Sequence, residues 1–143
     1  MTKSDQKAYF YKIDTTVKKV RNYLQKQLIK GGIDLTVDQW VVLDHLVPVP
    51  GISQNDLALA TAKDAPTLTR ILGILIKKGF VERKTAKLDR RKQMLFPTEK
   101  GKALHKEAFP IVANMRTKAW GDLSNQDFDD LVRIMDTIFI NLD

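Results

Sequence analysis

A mainly α-helical fold with one small β-hairpin is what this sequence predicts, on three observations. Apolar residues recur at helical spacing through most of the chain. Two helix starts, Ser53-x-x-Asp56 and Asp64-Ala-Pro66, are close enough for two short helices joined by about four residues, a helix-turn-helix. Directly after them, "FVERK" (Phe80 to Lys84) and "QMLFP" (Gln93 to Pro97) read as short strands around the polar turn "TAKLDRR".

The elements follow in order. From Asp5 to Ile29, Tyr9, Ile13, Val17, Val20, Leu24 and Leu28 recur every three or four residues, predicting one long amphipathic helix stopped by Gly31 and Gly32. At about 25 residues, or about 37 Å, it exceeds what a domain of this size needs for its own core, so part of its apolar stripe is expected to face another subunit. "TVDQ" (Thr36 to Gln39) fits a capping box and opens a helix carrying Trp40, Val41, Leu43, Leu46 and Val47, which "PVPG" ends. "SQNDLALAT" is a short helix ending near Thr61.

The next helix is predicted from Ala65 to Lys78, with Asp64 favouring its N-terminus, Pro66 tolerated in the first turn and Gly79 as its stop. Leu68, Ile71, Leu72 and Leu75 form its apolar stripe. Pro66, Arg70, Gly73 and Lys77 lie opposite, with Thr67 and Thr69 on the flanks. After the hairpin, Thr98 can cap a helix running to the region of Trp120, with a kink or break expected at Pro110. "SNQD" starts a last helix with Phe128, Leu131, Ile134, Met135, Ile138 and Phe139 on one face.

The 143 residues, 43% of them hydrophobic, suit one domain. Without cysteine the chain has no disulfide, thiolate metal ligand or thiol redox switch. No segment matches a secretory signal or a membrane span, which predicts a soluble, cytoplasmic protein. The net charge is +7, unevenly spread: residues 77 to 106 carry 11 basic and 3 acidic side chains, whereas residues 107 to 143 carry 3 and 7. A basic block beside an acidic tail is the footprint expected of a nucleic-acid binder, although a solvated basic face has the same composition.

In "LTVDQWVVLDHL", "ISQNDLALAT", "PTLTRILGILIKKGFVERK" and above all "LDRRKQMLFPTEKG", where D-x-R precedes a strand, a threonine and a glycine, the chain resembles the MarR (multiple antibiotic resistance regulator) family of winged helix-turn-helix transcription factors. The resemblance covers essentially the whole chain. It implies a single MarR-like domain over residues 1–143, with a winged helix-turn-helix DNA-binding lobe at 35–100 and a helical dimerisation region from 1–32 and 101–143. It further implies a homodimer that binds a palindromic double-stranded operator, commonly as a repressor. In many members a small, often aromatic acidic effector releases the DNA.

DNA recognition needs cations and polar donors for phosphates, and side chains that meet base edges. Arg70 can take guanine O6 and N7 or instead a phosphate. Thr67 and Thr69 can meet base edges or simply solvate the helix terminus, and Pro66 can pack at the groove floor. Gly73 costs about 1 kcal/mol against alanine in a helix, which close approach to DNA or a packing need would explain. Ile74 and Ile76 stand where the family commonly has polar or charged residues, so no phosphate contact is assigned to position 74. Gln54, Asn55 and Lys77 complete the set on the two helices.

The hairpin is then the wing. Arg91 at its tip is expected in a minor groove, with Arg83, Lys84, Lys87, Arg90 and Lys92 on flanking phosphates. Asp89 is expected to orient a wing arginine, or is an ordinary turn residue.

Tyr23, Trp40 and His45 are the candidates for a ligand pocket, although Trp40 also reads as core and a lone histidine as a satisfied surface residue. Two histidines without metal-ligand spacing give no metal site, and no cofactor is implied. Glycine-rich phosphate loops, nucleophile elbows and H-E-x-x-H are lacking, so no enzyme is predicted. The alternative is a winged-helix module that binds protein or RNA without operator recognition.

Overall fold

Thr2 starts the first helix: its hydroxyl accepts from the Asp5 N–H and the Asp5 carboxylate accepts from the Thr2 N–H, a reciprocal cap. In this computed structural model, which describes residues 1–143, the elements are α1 (Lys3–Lys30), α2 (Val37–Leu46), β1 (Ile52–Ser53), α3 (Gln54–Thr61), α4 (Ala65–Lys77), β2 (Val81–Thr85), β3 (Gln93–Pro97), α5 (Glu99–Trp120) and α6 (Asn125–Asn141). They form two compact units, Met1–Ala113 and Asn114–Asp143.

Within the first unit, the apolar stripe of α1 splits in two. Leu24 and Leu28 are buried, while Tyr9, Val17 and Val20 are exposed, as are their neighbours Phe10 and Tyr11. Gln25 ties the buried end to α2: its amide oxygen accepts from the Val37 N–H at 3.0 Å and its NH2 donates to the Leu35 carbonyl at 3.2 Å. The predicted capping box of Thr36 and Gln39 is present. On α2 the buried positions are Val37, Gln39, Trp40, Val42, Leu43 and Leu46, whereas Val41 and, just past the helix, Val47 are only half-buried. Val42 was not foreseen because α2 is apolar over most of its surface and its pattern does not single out one face.

Leu28, Leu43, Leu46, Leu57, Leu68, Leu72, Leu75 and Leu95 have no solvent exposure and form the centre of the core. Each contributes about 1.5 to 3 kcal/mol by leaving water. The four predicted apolar positions of α4 all belong to its buried face. Ser53 caps α3, and the helix ends at Ala62, which adopts a left-handed conformation (φ +51°) so that the Lys63 N–H can reach the Ala58 carbonyl at 3.0 Å. Only Ala62, Lys63 and Asp64 separate α3 from α4.

The hairpin strands pair antiparallel, with Val81 opposite Pro97 and Thr85 opposite Gln93. A third strand escaped the sequence reading: β1, two residues long, pairs Ile52 with Leu95 and Ser53 with Met94, giving the order β1-β3-β2. Two residues carry no periodicity, and the local signal at Ser53 is that of a helix cap.

Thr98 fastens the hairpin to α4 and α5. Its hydroxyl donates to the Gly79 carbonyl at 2.6 Å and accepts from the Gly101 N–H at 3.0 Å, while its N–H donates to the Phe80 carbonyl at 3.1 Å. α5 runs without a break past Pro110, so of the kink or break expected there the break is absent. Proline removes only one hydrogen bond of the helix ladder, and the flanking turns keep theirs.

The second unit contains the end of α5, a turn at Gly121 (φ +59°) and α6. Ser124 and Asp127 form another reciprocal cap, and the rings of Trp120 and Phe128 meet edge to face at 6.0 Å. α6 has no buried residue, and Phe128, Leu131, Ile134, Met135 and Phe139 are exposed. No helix is long and apolar enough to cross a membrane.

Candidate nucleic-acid interface

Asp64 accepts the Thr67 N–H at 2.8 Å and so fixes the start of α4. This backbone hydrogen bond is the main reason its carboxyl lies below the ordinary carboxylate range. The Thr67 side chain adds to it, and the Arg70 and Lys63 charges contribute less. From that start, Pro66, Thr69, Arg70, Gly73 and Lys77 project from the exposed face of α4, with Thr67 half-buried beside them. The side chains of Arg70 and Lys77 form no hydrogen bond or ion pair within the chain.

Gln54 joins three elements. Its NH2 donates to the Thr69 hydroxyl of α4 at 2.9 Å, and its carbonyl oxygen accepts from the Arg83 guanidinium of β2 at 3.3 Å. Beside it, Ser53, Gln54, Asn55, Arg91, Lys92, Gln93 and Met94 are among the residues lining an open groove of about 700 Å³ between the start of α3 and the wing. Gln93 and Met94 were missed as lining residues because sequence alone does not place a strand against β1.

At the wing tip, Arg91 donates its backbone N–H to the Asp89 carboxylate at 3.0 Å, and its Nε lies 3.5 Å from the same oxygen. The Arg91 side chain is 95% exposed. Lys87, Arg90 and Lys92 are also exposed, and their side chains have no partner. Lys84 differs from Arg83. Alternation along β2 turns the two to opposite faces, and the Lys84 ammonium sits 4.9 Å from the Phe96 ring centre and 3.5 Å from the Glu82 carboxylate.

Behind this surface, the Asp38 carboxylate of α2 accepts from Arg21 of α1 at 2.6 Å and from Lys63, in the turn between α3 and α4, at 2.7 Å. The Lys63 hydrogen bond is the main reason its carboxyl is lowered, against a smaller opposing effect of burial. Nothing in the local sequence announced this link across 17 and 25 residues.

The three pocket candidates have different surroundings. Tyr23 borders a depression lined by Thr15, Lys18, Lys19, Asn22 and Lys26. Trp40 is 2% exposed and stacks on His105 with ring centres 4.9 Å apart, and His105 also lies 2.8 Å from the Asp44 carboxylate. His45 Nδ1 lies 2.7 Å from the Val41 carbonyl one turn back. No group of three potential metal ligands forms a cluster.

A family model described as "MarR family" matches residues 33–92, the stretch that holds α2, α3, α4, β2 and the wing tip. Among solved structures, the transcriptional repressor CouR bound to a 23-mer DNA duplex is 26% identical, with a TM-score of 0.79 over 90% of this chain and 89% of that one. A mutant MarR from E. coli complexed with operator DNA is 24% identical, with a TM-score of 0.80 and coverages of 88% and 89%. The S. aureus MepR–DNA complex is 21% identical, with a TM-score of 0.84 and coverages of 93% and 97%. The family-model match across the helix-turn-helix and wing, with near full-length agreement in fold, shows that this chain has the winged helix-turn-helix fold and is similar to MarR-family regulators.

Proposed function

We propose that the protein is a non-enzymatic transcriptional regulator that binds duplex DNA sequence-specifically as a homodimer, with α4 in the major groove and the β2–β3 wing along a minor groove. The observation that carries this reading is that Arg70 and Lys77 on α4 and Lys87, Arg90 and Lys92 on the wing are all exposed, with side chains that form no ion pair within the chain. Cations committed to internal ion pairs would have to give those up to neutralise phosphate, and these do not. In this reading Pro66, Thr67, Thr69 and Arg70 face the bases. Gln54, Asn55, Lys77, Arg83, Lys84, Lys87, Arg90 and Lys92 serve phosphates or hold their neighbours, and Asp89 orients Arg91.

The division of labour follows from which surfaces are covered. Residues 35–100 supply the DNA-binding lobe, and residues 1–32 with 101–143 supply the dimer scaffold. Tyr9, Phe10, Tyr11, Val17 and Val20 on α1 and the exposed apolar residues of α6 lack cover within the chain, as surfaces reserved for a second copy do. Two-fold symmetry then calls for an imperfect palindrome with half-site centres about 10 to 11 base pairs apart. Repression with release by a small aromatic acid completes the reading. Such a ligand would find a ring at Tyr23 beside the ammonium groups of Lys19 and Lys26.

Selection of bound duplexes from a random library, with and without a panel of aromatic acids, tests the reading. An inverted repeat is the expected product, and an acid that abolishes its enrichment identifies the effector class. Equal recovery of all duplexes, or preference for single-stranded RNA, would replace it with a protein- or RNA-binding role.

A further inference from the structure

The amide of Gln54 stands between a group that can only donate and one that can do either. Arg83 has no acceptor, so the Gln54 carbonyl oxygen must face it, as it does at 3.3 Å. The NH2 group is thereby turned toward Thr69, whose hydroxyl oxygen can only accept from it at 2.9 Å. The single hydroxyl proton of Thr69 is left over.

In helices such a proton commonly returns to the carbonyl one turn back. Thr15 donates to Tyr11 at 2.6 Å, Thr61 to Leu57 at 2.7 Å and Thr137 to Arg133 at 2.7 Å. Thr69 makes no such bond, and it lies on the exposed face of α4.

We propose that the chain Arg83–Gln54–Thr69 fixes the hydrogen-bond polarity of Thr69, so that it acts as a donor toward DNA and discriminates against cytosine at one position in each half-site. The inference rests on the DNA-binding reading above and deepens it. In the major groove guanine, adenine and thymine each present an acceptor, whereas cytosine presents only its amino donor. A donor locked at position 69 meets an acceptor on three bases and a second donor on the fourth. Gln54 is thus a positioning residue, and Arg83, one strand away, takes part in specificity without touching a base.

The test repeats duplex selection with the full-length wild type, T69V, T69S, Q54A and Q54E, with thermal unfolding as a control for folding. The wild type is expected to deplete cytosine at one position per half-site by about two- to tenfold, the worth of one neutral hydrogen bond. T69V should lose that depletion and T69S keep it, which locates the position. In Q54E the carboxylate can only accept, so the Thr69 proton turns inward and its oxygen becomes an acceptor toward DNA. Cytosine should then be enriched at the same position, even as the added negative charge weakens binding to all duplexes. Q54A should leave the position indifferent.

Unchanged base preference in Q54A and Q54E, or a T69V variant that loses affinity equally on all duplexes, would overturn the proposal while leaving the DNA-binding reading intact. A wild type that selects no sequence would overturn both.

Discussion

Asp89 accepts the backbone N–H of Arg91 at 3.0 Å while its carboxylate also lies 3.5 Å from the Arg91 Nε, so one side chain fixes both the bend of the wing tip and the departure of its arginine. Charge and geometry therefore make opposite predictions for Asp89→Ala. Removing a negative charge near phosphates should tighten binding, whereas freeing Arg91 should weaken it. The geometric effect is expected to win, with affinity for the selected duplex falling by about three- to tenfold and the unfolding midpoint unchanged. Titration by fluorescence anisotropy reads the sign, and tighter binding would show that Asp89 is an ordinary turn residue.

Gly73 lies on the exposed face of α4, and a Cβ built there meets no atom within 4 Å. Nothing inside the chain accounts for a glycine at this place. Gly73→Ala should stabilise the fold by about 0.5 to 1 kcal/mol in urea titrations, through helix propensity alone. Binding to the selected duplex should fall in the same variant if, as proposed, the added methyl group stands on the face that α4 turns to DNA.

Gly101 gives the opposite result for a different reason. A Cβ at this position would overlap the Phe80 backbone carbonyl, which Thr98 holds in place through its own N–H. Backbone cannot move aside as a side-chain tip can, so Gly101→Ala should destabilise by about 1 to 3 kcal/mol. Urea midpoints for the two glycine variants should move in opposite directions.

These contrasts show what was legible in the sequence. The threonine and glycine of "PTEKG" could be matched as a motif, but their purpose, joining the end of α4 to the start of α5, depends on Phe80 and Gly79 lying about twenty residues away. Long periodic helices and their caps were readable because each signal is local: Thr36 with Gln39, and Leu68 through Leu75 at helical spacing. The strand β1 and the Asp38 and Gln54 links were not, because each is decided by partners distant in the chain. The cationic wing was visible as composition. Which of its cations are spent internally, as Lys84 is over Phe96, required the fold.

Asp38 ties α1 to the turn of the helix-turn-helix, and its carboxyl is lowered from the ordinary value of 3.8, chiefly by Lys63. A depressed folded-state pKa contributes stability that is present above the unfolded value and is lost as pH falls through the folded one. Asp38→Asn should therefore destabilise the protein near neutral pH, by about 1 kcal/mol or less because the carboxylate is 44% exposed and screened by solvent. The difference should shrink below about pH 4 and vanish once the native carboxyl is protonated. Urea titrations of both proteins across that range check it.

The claim on which the account depends is that α4 and the wing of two protomers neutralise the phosphates of one duplex. The dependence of the binding constant on salt measures this directly. With about eight to ten phosphates met by a dimer, the slope of log K against log salt concentration should be about −7 to −9 on the selected duplex. A slope close to zero would contradict it.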